Sequence, residues 1–136
     1  MTITFKNCKT IDKKQLENLY NDVQWAAYTK DLEHLQKALI HSLEVISAWD
    51  GERLVGLIRV IDDGLTIIYI QDILVLNLYQ NQGIATQLIQ QILEKHRNVR
   101  QKVLLTEEAP DVRYFYEKNG FQSCDKGSTV AFAKLN

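Results

Sequence analysis

Three strand-like runs stand back to back in the middle of the chain, and they restrict the fold more than any other feature. Residues 43–49 end at Asp50-Gly51, residues 54–61 end at Asp62-Asp63-Gly64, and residues 65–76 follow. The third is rich in β-branched and aromatic side chains, which suit a pleated, half-buried surface. An Asp-Gly pair between apolar runs signals a tight hairpin. The three runs therefore predict an antiparallel meander. Residues 2–6 alternate and predict a further short strand.

Helical periodicity surrounds this block. Asp12 and Gln15 form a capping pair, and Leu16, Leu19, Tyr20 and Val23 follow at i, i+3, i+4 and i+7. Leu32, Leu35, Leu39 and Ile40 mark a second helix, after the aromatic connection Gln24-Trp25-Ala26-Ala27-Tyr28-Thr29. A third helix is predicted from about Gly83 to His96, on Ile84, Leu88 and Ile92. Val103-Leu104-Leu105 predicts a short buried strand. Ala109-Pro110-Asp111 opens a last helix that Asn119-Gly120 closes. Residues 121–124 and 129–135 predict a final strand pair around Asp125-Lys126-Gly127-Ser128. The order is β-α-α-β-β-β-α-β-α-β-β, an α/β fold with a mixed, mostly antiparallel sheet and about four helices.

One proline and the absence of any repeat or linker predict a single domain over residues 1–136. The formal net charge of -1 gives no electrostatic footprint for nucleic acid or an anionic membrane. The first residues lack a basic region followed by a long apolar run, and no apolar stretch reaches the roughly 18 residues of a spanning helix. The expectation is a cytoplasmic protein with no nucleic-acid or membrane partner. Cys8 and Cys124 make neither a disulfide framework nor a four-ligand metal site, and Cys124 reads as a packed thiol. His34, His41 and His96 form no metal-ligand pattern, so no metal is expected.

Two segments carry chemistry. Residues 73–86 read Ile-Leu-Val-Leu-Asn-Leu-Tyr-Gln-Asn-Gln-Gly-Ile-Ala-Thr: a strand, a polar turn and a glycine-containing helix start. The first N–H groups of a helix have no internal partner, and the helix dipole favours an anion there. Gly83 would let a phosphate approach the backbone, and Ala85 keeps the next turn uncrowded. Such a junction also serves as a plain connection. The second segment is Tyr114-Phe115-Tyr116-Glu117-Lys118-Asn119-Gly120-Phe121. Phe115 and Phe121 read as core, whereas the Tyr116 phenol is able to donate a proton.

Together these segments resemble the GNAT (Gcn5-related) N-acetyltransferases. Gln80-x-x-Gly83-x-Ala85 matches the family's Gln/Arg-x-x-Gly-x-Gly/Ala signature, and Phe115-Tyr116-Glu117-Lys118-x-Gly120-Phe121 resembles its later Phe-Tyr-x-Lys-x-Gly-Phe segment. The resemblance implies a splayed sheet and acetyl-CoA as cosubstrate. Its pyrophosphate would lie on Asn81, Gln82, Gly83, Ile84, Ala85 and Thr86, with Gln80 opening the loop. The pantetheine arm would run along Ile73, Leu74 and Val75. Tyr116 would be the general acid. Trp25, Tyr28, Tyr69 and Gln71 would line the acceptor side. Two positions that often hold a basic Glu or His are Tyr69 and Gln71, and the segment before Phe-Tyr carries Ala109 and Val112 where Asn and Ala are frequent. The general base is left open among Glu107, Glu108, Asp72 and a water held by Tyr69 and Gln71. Strand alternation points Asp72 away from the cleft if Gln71 points in. The implied activity is direct acetyl transfer to a primary amine, that of a small molecule. The alternatives are a protein N-acetyltransferase, a CoA-binding sensor or silent module, and a long-acyl transferase; a homodimer is compatible with each.

Overall fold

The meander forms with its register set by the two turns. In the computed structural model, which describes residues 2–136, β2 (Glu44–Asp50), β3 (Arg53–Ile61) and β4 (Ile67–Val75) pair antiparallel in that order. β1 (Ile3–Asn7) adds antiparallel to β2, and β5 (Gln101–Val103) lies parallel to β4. The sheet order is thus β1-β2-β3-β4-β5. Gly51 takes a φ of +60°, which the first turn requires of a residue without Cβ strain. In the second turn the Asp63 carboxylate accepts the N–H groups of Leu65, Thr66 and Ile67. Those bonds hold its pKa far below the usual carboxylate range.

Asp12 caps α1 (Lys13–Asp22) by accepting from the N–H groups of Lys14 and Gln15. The Gln15 side chain does not complete the expected capping pair. It bonds instead to the Glu52 carbonyl and the Leu54 N–H, tying α1 to the edge of the β2–β3 hairpin. α2 (Ala26–Thr29) is one turn within the aromatic connection, and Asp31 caps α3 (Leu32–Ile40). Leu16, Leu19, Tyr20, Leu35 and Leu39 are buried, as the periodicity predicts. On α4 (Ile84–Lys95) the buried stripe is Ile84, Leu88, Ile89 and Ile92, packed on β2, β3 and β4. Each such side chain contributes about 1.5–3 kcal/mol of burial.

Residues through Leu105 form one compact unit and Thr106–Asn136 a second. The second contains α5 (Pro110–Lys118), opened by proline as expected, and a 3-10 turn at Cys124–Lys126. The expected strand pair at 121–124 and 129–135 is not formed. Residues 123–126 are drawn into a turn instead: Ser123 donates to Asp125, Arg113 reaches Asp125, and Lys126 donates to Glu117 of α5. Apolar alternation without a ladder partner supplies no backbone hydrogen bonds, so it does not make a strand. The short strand expected at 103–105 also lies earlier, at Gln101–Val103, and Val103 is 37 % exposed rather than buried. Cys124 is exposed, not packed, because it sits in that 3-10 turn.

Candidate active site

The sheet forks at one place. β4 and β5 pair only over Ile67–Tyr69 and Gln101–Val103, whereas β4 continues to Val75. Past Tyr69, the edge of β4 that faced β5 has no ladder partner among the described residues. Ile73 is half-buried there, and Leu74 and Val75 are buried. β4 then leads through a 3-10 turn at Asn77–Tyr79 into the loop before α4. The Gln80 side chain folds back to donate to the Val75 carbonyl (3.0 Å) and to Asn77 Oδ1 (3.2 Å), so it shapes the loop. The Asn77 N–H donates to Asp22 at 2.6 Å, which anchors the same loop to the end of α1. Asn81 and Gly83 both lie in the left-handed region, at φ +64° and +82°. Gly83 is the N-cap of α4, and no side chain among the described residues caps this helix end. A Cβ at Gly83 would meet nothing within 4 Å, and the first N–H groups of α4 have no intrahelical partner. Gln80, Asn81 and Gln82 are exposed and Ala85 and Thr86 half-buried. Ile84 turns its side chain into the core, so only its N–H is available.

A second polar centre lies on the other part of β4. Asp72, 1 % exposed, accepts from Tyr20 at 2.9 Å and from Arg59 Nε at 2.7 Å, both on Oδ2, and from Tyr28 at 3.0 Å on Oδ1. Gln71 Nε2 donates to the same Tyr28 hydroxyl at 3.1 Å. Gln71 and Asp72 thus reach one side-chain oxygen, against the expectation that they face apart. The reason is a register shift: Arg59 pairs with Asp72 but Val60 pairs with Ile70, so Gln71 is an extra residue and alternation breaks there. Trp25 (37 % exposed) and the half-buried Tyr28 form an aromatic cluster with Tyr20, the Trp25 and Tyr28 ring centres lying 6.3 Å apart. Burial first, and then the Asp72 charge, raise the pKa of both Tyr20 and Tyr28. Sequence reading missed Tyr20 and Arg59 as members of this centre. The available signal was Arg59 itself, a lone charge in an apolar strand, which needs a buried partner.

In the second unit, the Tyr116 ring packs edge-on against Phe115 and Phe121. Phe115 and Phe121 are half-buried, so neither is fully in a core. Burial pushes the Tyr116 phenol up to about 12, with a hydrogen bond to the Thr106 side chain acting the other way. Glu108 is held by Arg113 through two hydrogen bonds of 2.5 and 2.9 Å, which lower its pKa. Glu107 is exposed, and Tyr69 is half-buried at the last rung before the fork. No cluster of His, Cys, Asp or Glu able to hold a metal occurs among the described residues. His96 is instead bound to Glu44. No helix among those residues is long and apolar enough to cross a membrane.

Known proteins share this fold. The family model "Acetyltransferase (GNAT) domain" matches residues 8–135, across both units. An uncharacterized N-acetyltransferase ycf52-like protein of Prochlorococcus marinus is 28 % identical over 141 residues, covering 99 % of this chain and 76 % of its own length. A GNAT family acetyltransferase of Streptococcus pneumoniae TIGR4 is 33 % identical, with a TM-score of 0.88 and coverage of 99 % of this chain and 98 % of that one. The PaiA N-acetyltransferase of Thermoplasma acidophilum, solved in complex with coenzyme A, shares the fold at 16 % identity and a TM-score of 0.76, over 90 % of this chain and 91 % of that one. The fork, the glycine-opened helix and the match over nearly the whole length lead to one conclusion: this chain belongs to the GNAT family of acetyltransferases and is an acyltransferase.

Proposed function

We propose that this acetyltransferase moves the acetyl group of acetyl-CoA directly to the primary amine of a small molecule, in a ternary complex formed on one acetyltransferase domain. The observation that carries the reading is the uncapped, Gly83-opened start of α4 at the end of a strand whose edge is free. The N–H groups of residues 81–86 would hold the pyrophosphate, where orphan donors and the helix dipole both favour negative charge. The free edge at Ile73, Leu74 and Val75 would pair with the pantetheine arm as an added strand does. Acetyl-CoA supplies the acetyl group as a thioester. Tyr116 is the general acid in this reading, and its raised pKa keeps the hydroxyl protonated at neutral pH, as a proton donor to a thiolate must be.

The acceptor nitrogen needs a free lone pair. An alkyl amine with a pKa of about 10.4 is neutral in only about 0.04 % of molecules at pH 7, a cost of about 4.6 kcal/mol. Glu108 is a poor base because Arg113 stabilises its charge. Glu107, or a water on Tyr69 and Gln71, takes the proton in this reading. Trp25, Tyr28, Tyr69 and Gln71 line the acceptor side.

The test is release of free CoA from acetyl-CoA with a panel of small primary amines, and with peptides bearing a free N-terminus or lysine. Small amines should support turnover. Tyr116→Phe should lower kcat on the order of 10- to 1,000-fold with acetyl-CoA affinity little changed. A chain that binds CoA and turns over no amine is a sensor or silent module, and turnover of peptides alone makes it a protein acetyltransferase.

A further inference from the structure

We infer that Tyr28 is a hydrogen-bond acceptor of fixed direction that selects substrates presenting an N–H, and that Asp72 is the positioning residue which fixes that direction. The inference rests on the amine-acetylation reading above and names what recognises the amine.

The polarity of the centre follows from counting donors. A carboxylate has no proton to give, so the hydroxyl hydrogen of Tyr28 must point at Asp72 Oδ1, 3.0 Å away. The nearly buried Arg59 guanidinium, a permanent cation, is paired to Asp72 at 2.7 Å. Neutralising Asp72 would strand that buried cation. The Tyr28 oxygen can therefore only accept. Gln71 must then turn its NH2 toward Tyr28, since its carbonyl would face another lone pair. One Tyr28 lone pair remains, and the Gln71 carbonyl is left pointing elsewhere on an exposed side chain. An acceptor lone pair and a carbonyl suit the N–H groups of an amine or ammonium. A carboxylate or ether oxygen at Tyr28 meets repulsion. The half-exposed Trp25 face beside Tyr28 adds an attraction for a cation.

The location fits this role. Gln71 stands two residues beyond Tyr69, the last rung shared with β5, so the contact lies at the mouth of the fork. The bulge at Gln71 is what brings Gln71 and Asp72 to one phenol. Without the extra residue one of them would face the other side of the sheet.

The experiment compares steady-state kinetics of the wild type, Tyr28→Phe and Asp72→Asn on a small primary amine, with an ether of the same size, which has no hydrogen to donate, as competing ligand. Tyr28→Phe keeps the ring and removes the oxygen. The amine KM should rise on the order of 10-fold, the acetyl-CoA KM should stay unchanged, and the preference for the amine over the ether should narrow. In Asp72→Asn the new amide can donate to Tyr28 and turn its hydrogen outward, so the amine KM should rise although the phenol is intact. Should Asp72→Asn fail to fold with Arg59 unpaired, Tyr28→Phe alone decides. An unchanged amine KM in Tyr28→Phe, or equal rises for both substrates, overturns the inference while leaving acetyl transfer standing. A wild type that binds CoA but acetylates no amine overturns the transfer reading, and the inference with it.

Discussion

Glu44 on β2 and Asp72 on β4, on either side of β3 in the same sheet, are both buried carboxylates, yet their donors differ in kind. Glu44, 4 % exposed, accepts from Asn7 Nδ2 at 2.5 Å, from Lys95 Nζ at 2.5 Å and from His96 Nε2 at 2.7 Å. These donors come from β1 and from the C-terminal end of α4, and they clasp that helix end to the sheet. Asp72 takes a buried guanidinium and two phenols, one of which passes on to the exposed Gln71. Equal burial thus serves two purposes. A donor that ends at the carboxylate makes a structural clasp, and a donor with lone pairs to spare carries the carboxylate's polarity to a surface. The cations differ as well: the Arg59 side chain is 7 % exposed, and that of Lys95 is 54 % exposed.

That difference sets the largest expected effect. Asp72→Ala leaves Arg59 charged, buried and unpaired, which costs about 3–5 kcal/mol. Glu44→Ala lets Lys95 turn into water and leaves mainly lost hydrogen bonds, about 1–3 kcal/mol. Urea unfolding of the two variants side by side gives the ranking. A larger loss for Glu44→Ala would mean that Lys95 is not free to rehydrate, and the contrast between the two cations would fail.

The sequence made the frame of this comparison legible and hid its centre. The meander, the helix after Gly83 and the proline-opened helix at 110 were readable because periodicity and turn chemistry act locally, within a few residues. The loop from Gln80 to Gly83 was readable for the same reason, being contiguous. The Asp72 centre was not, because the three donors to Asp72 stand 13 to 52 residues from it along the chain. The bulge that aims Gln71 is a register shift between strands, and alternation within one strand carries no record of it. The strand pair expected at 121–135 erred in the opposite direction: a local pattern was present and its ladder partner was not.

A smaller effect separates clasp from recognition site. Glu44→Gln keeps the shape and the Asn7 contact, so it should cost about 1 kcal/mol of stability and leave both the amine and acetyl-CoA KM values near wild type. Tyr28→Phe should do the reverse, changing the amine KM with little loss in the melting temperature. Paired melting curves and kinetics on the same preparations distinguish the two. A Glu44→Gln enzyme with a raised amine KM would join the clasp to the acceptor side, and the division of roles would no longer hold.

The smallest expected effect is a pH dependence that belongs to the clasp. Burial pushes the Glu44 pKa up, but hydrogen bonds from Lys95, His96 and Asn7 outweigh it and hold the folded value below the usual glutamate range. A carboxylate with a depressed folded pKa binds fewer protons folded than unfolded. Its contribution is complete above the unfolded pKa of about 4.3 and is lost as pH falls through the lower folded value. Wild-type stability should therefore fall on acidification from about pH 5, and part of that fall should be absent from Glu44→Gln, which has no proton to take up. Denaturant midpoints between pH 6 and pH 3 for the two proteins give the difference directly. Parallel curves over that range would show that Glu44 titrates alike in both states, and that the short contacts to Lys95 and His96 add no net stabilisation of its charge.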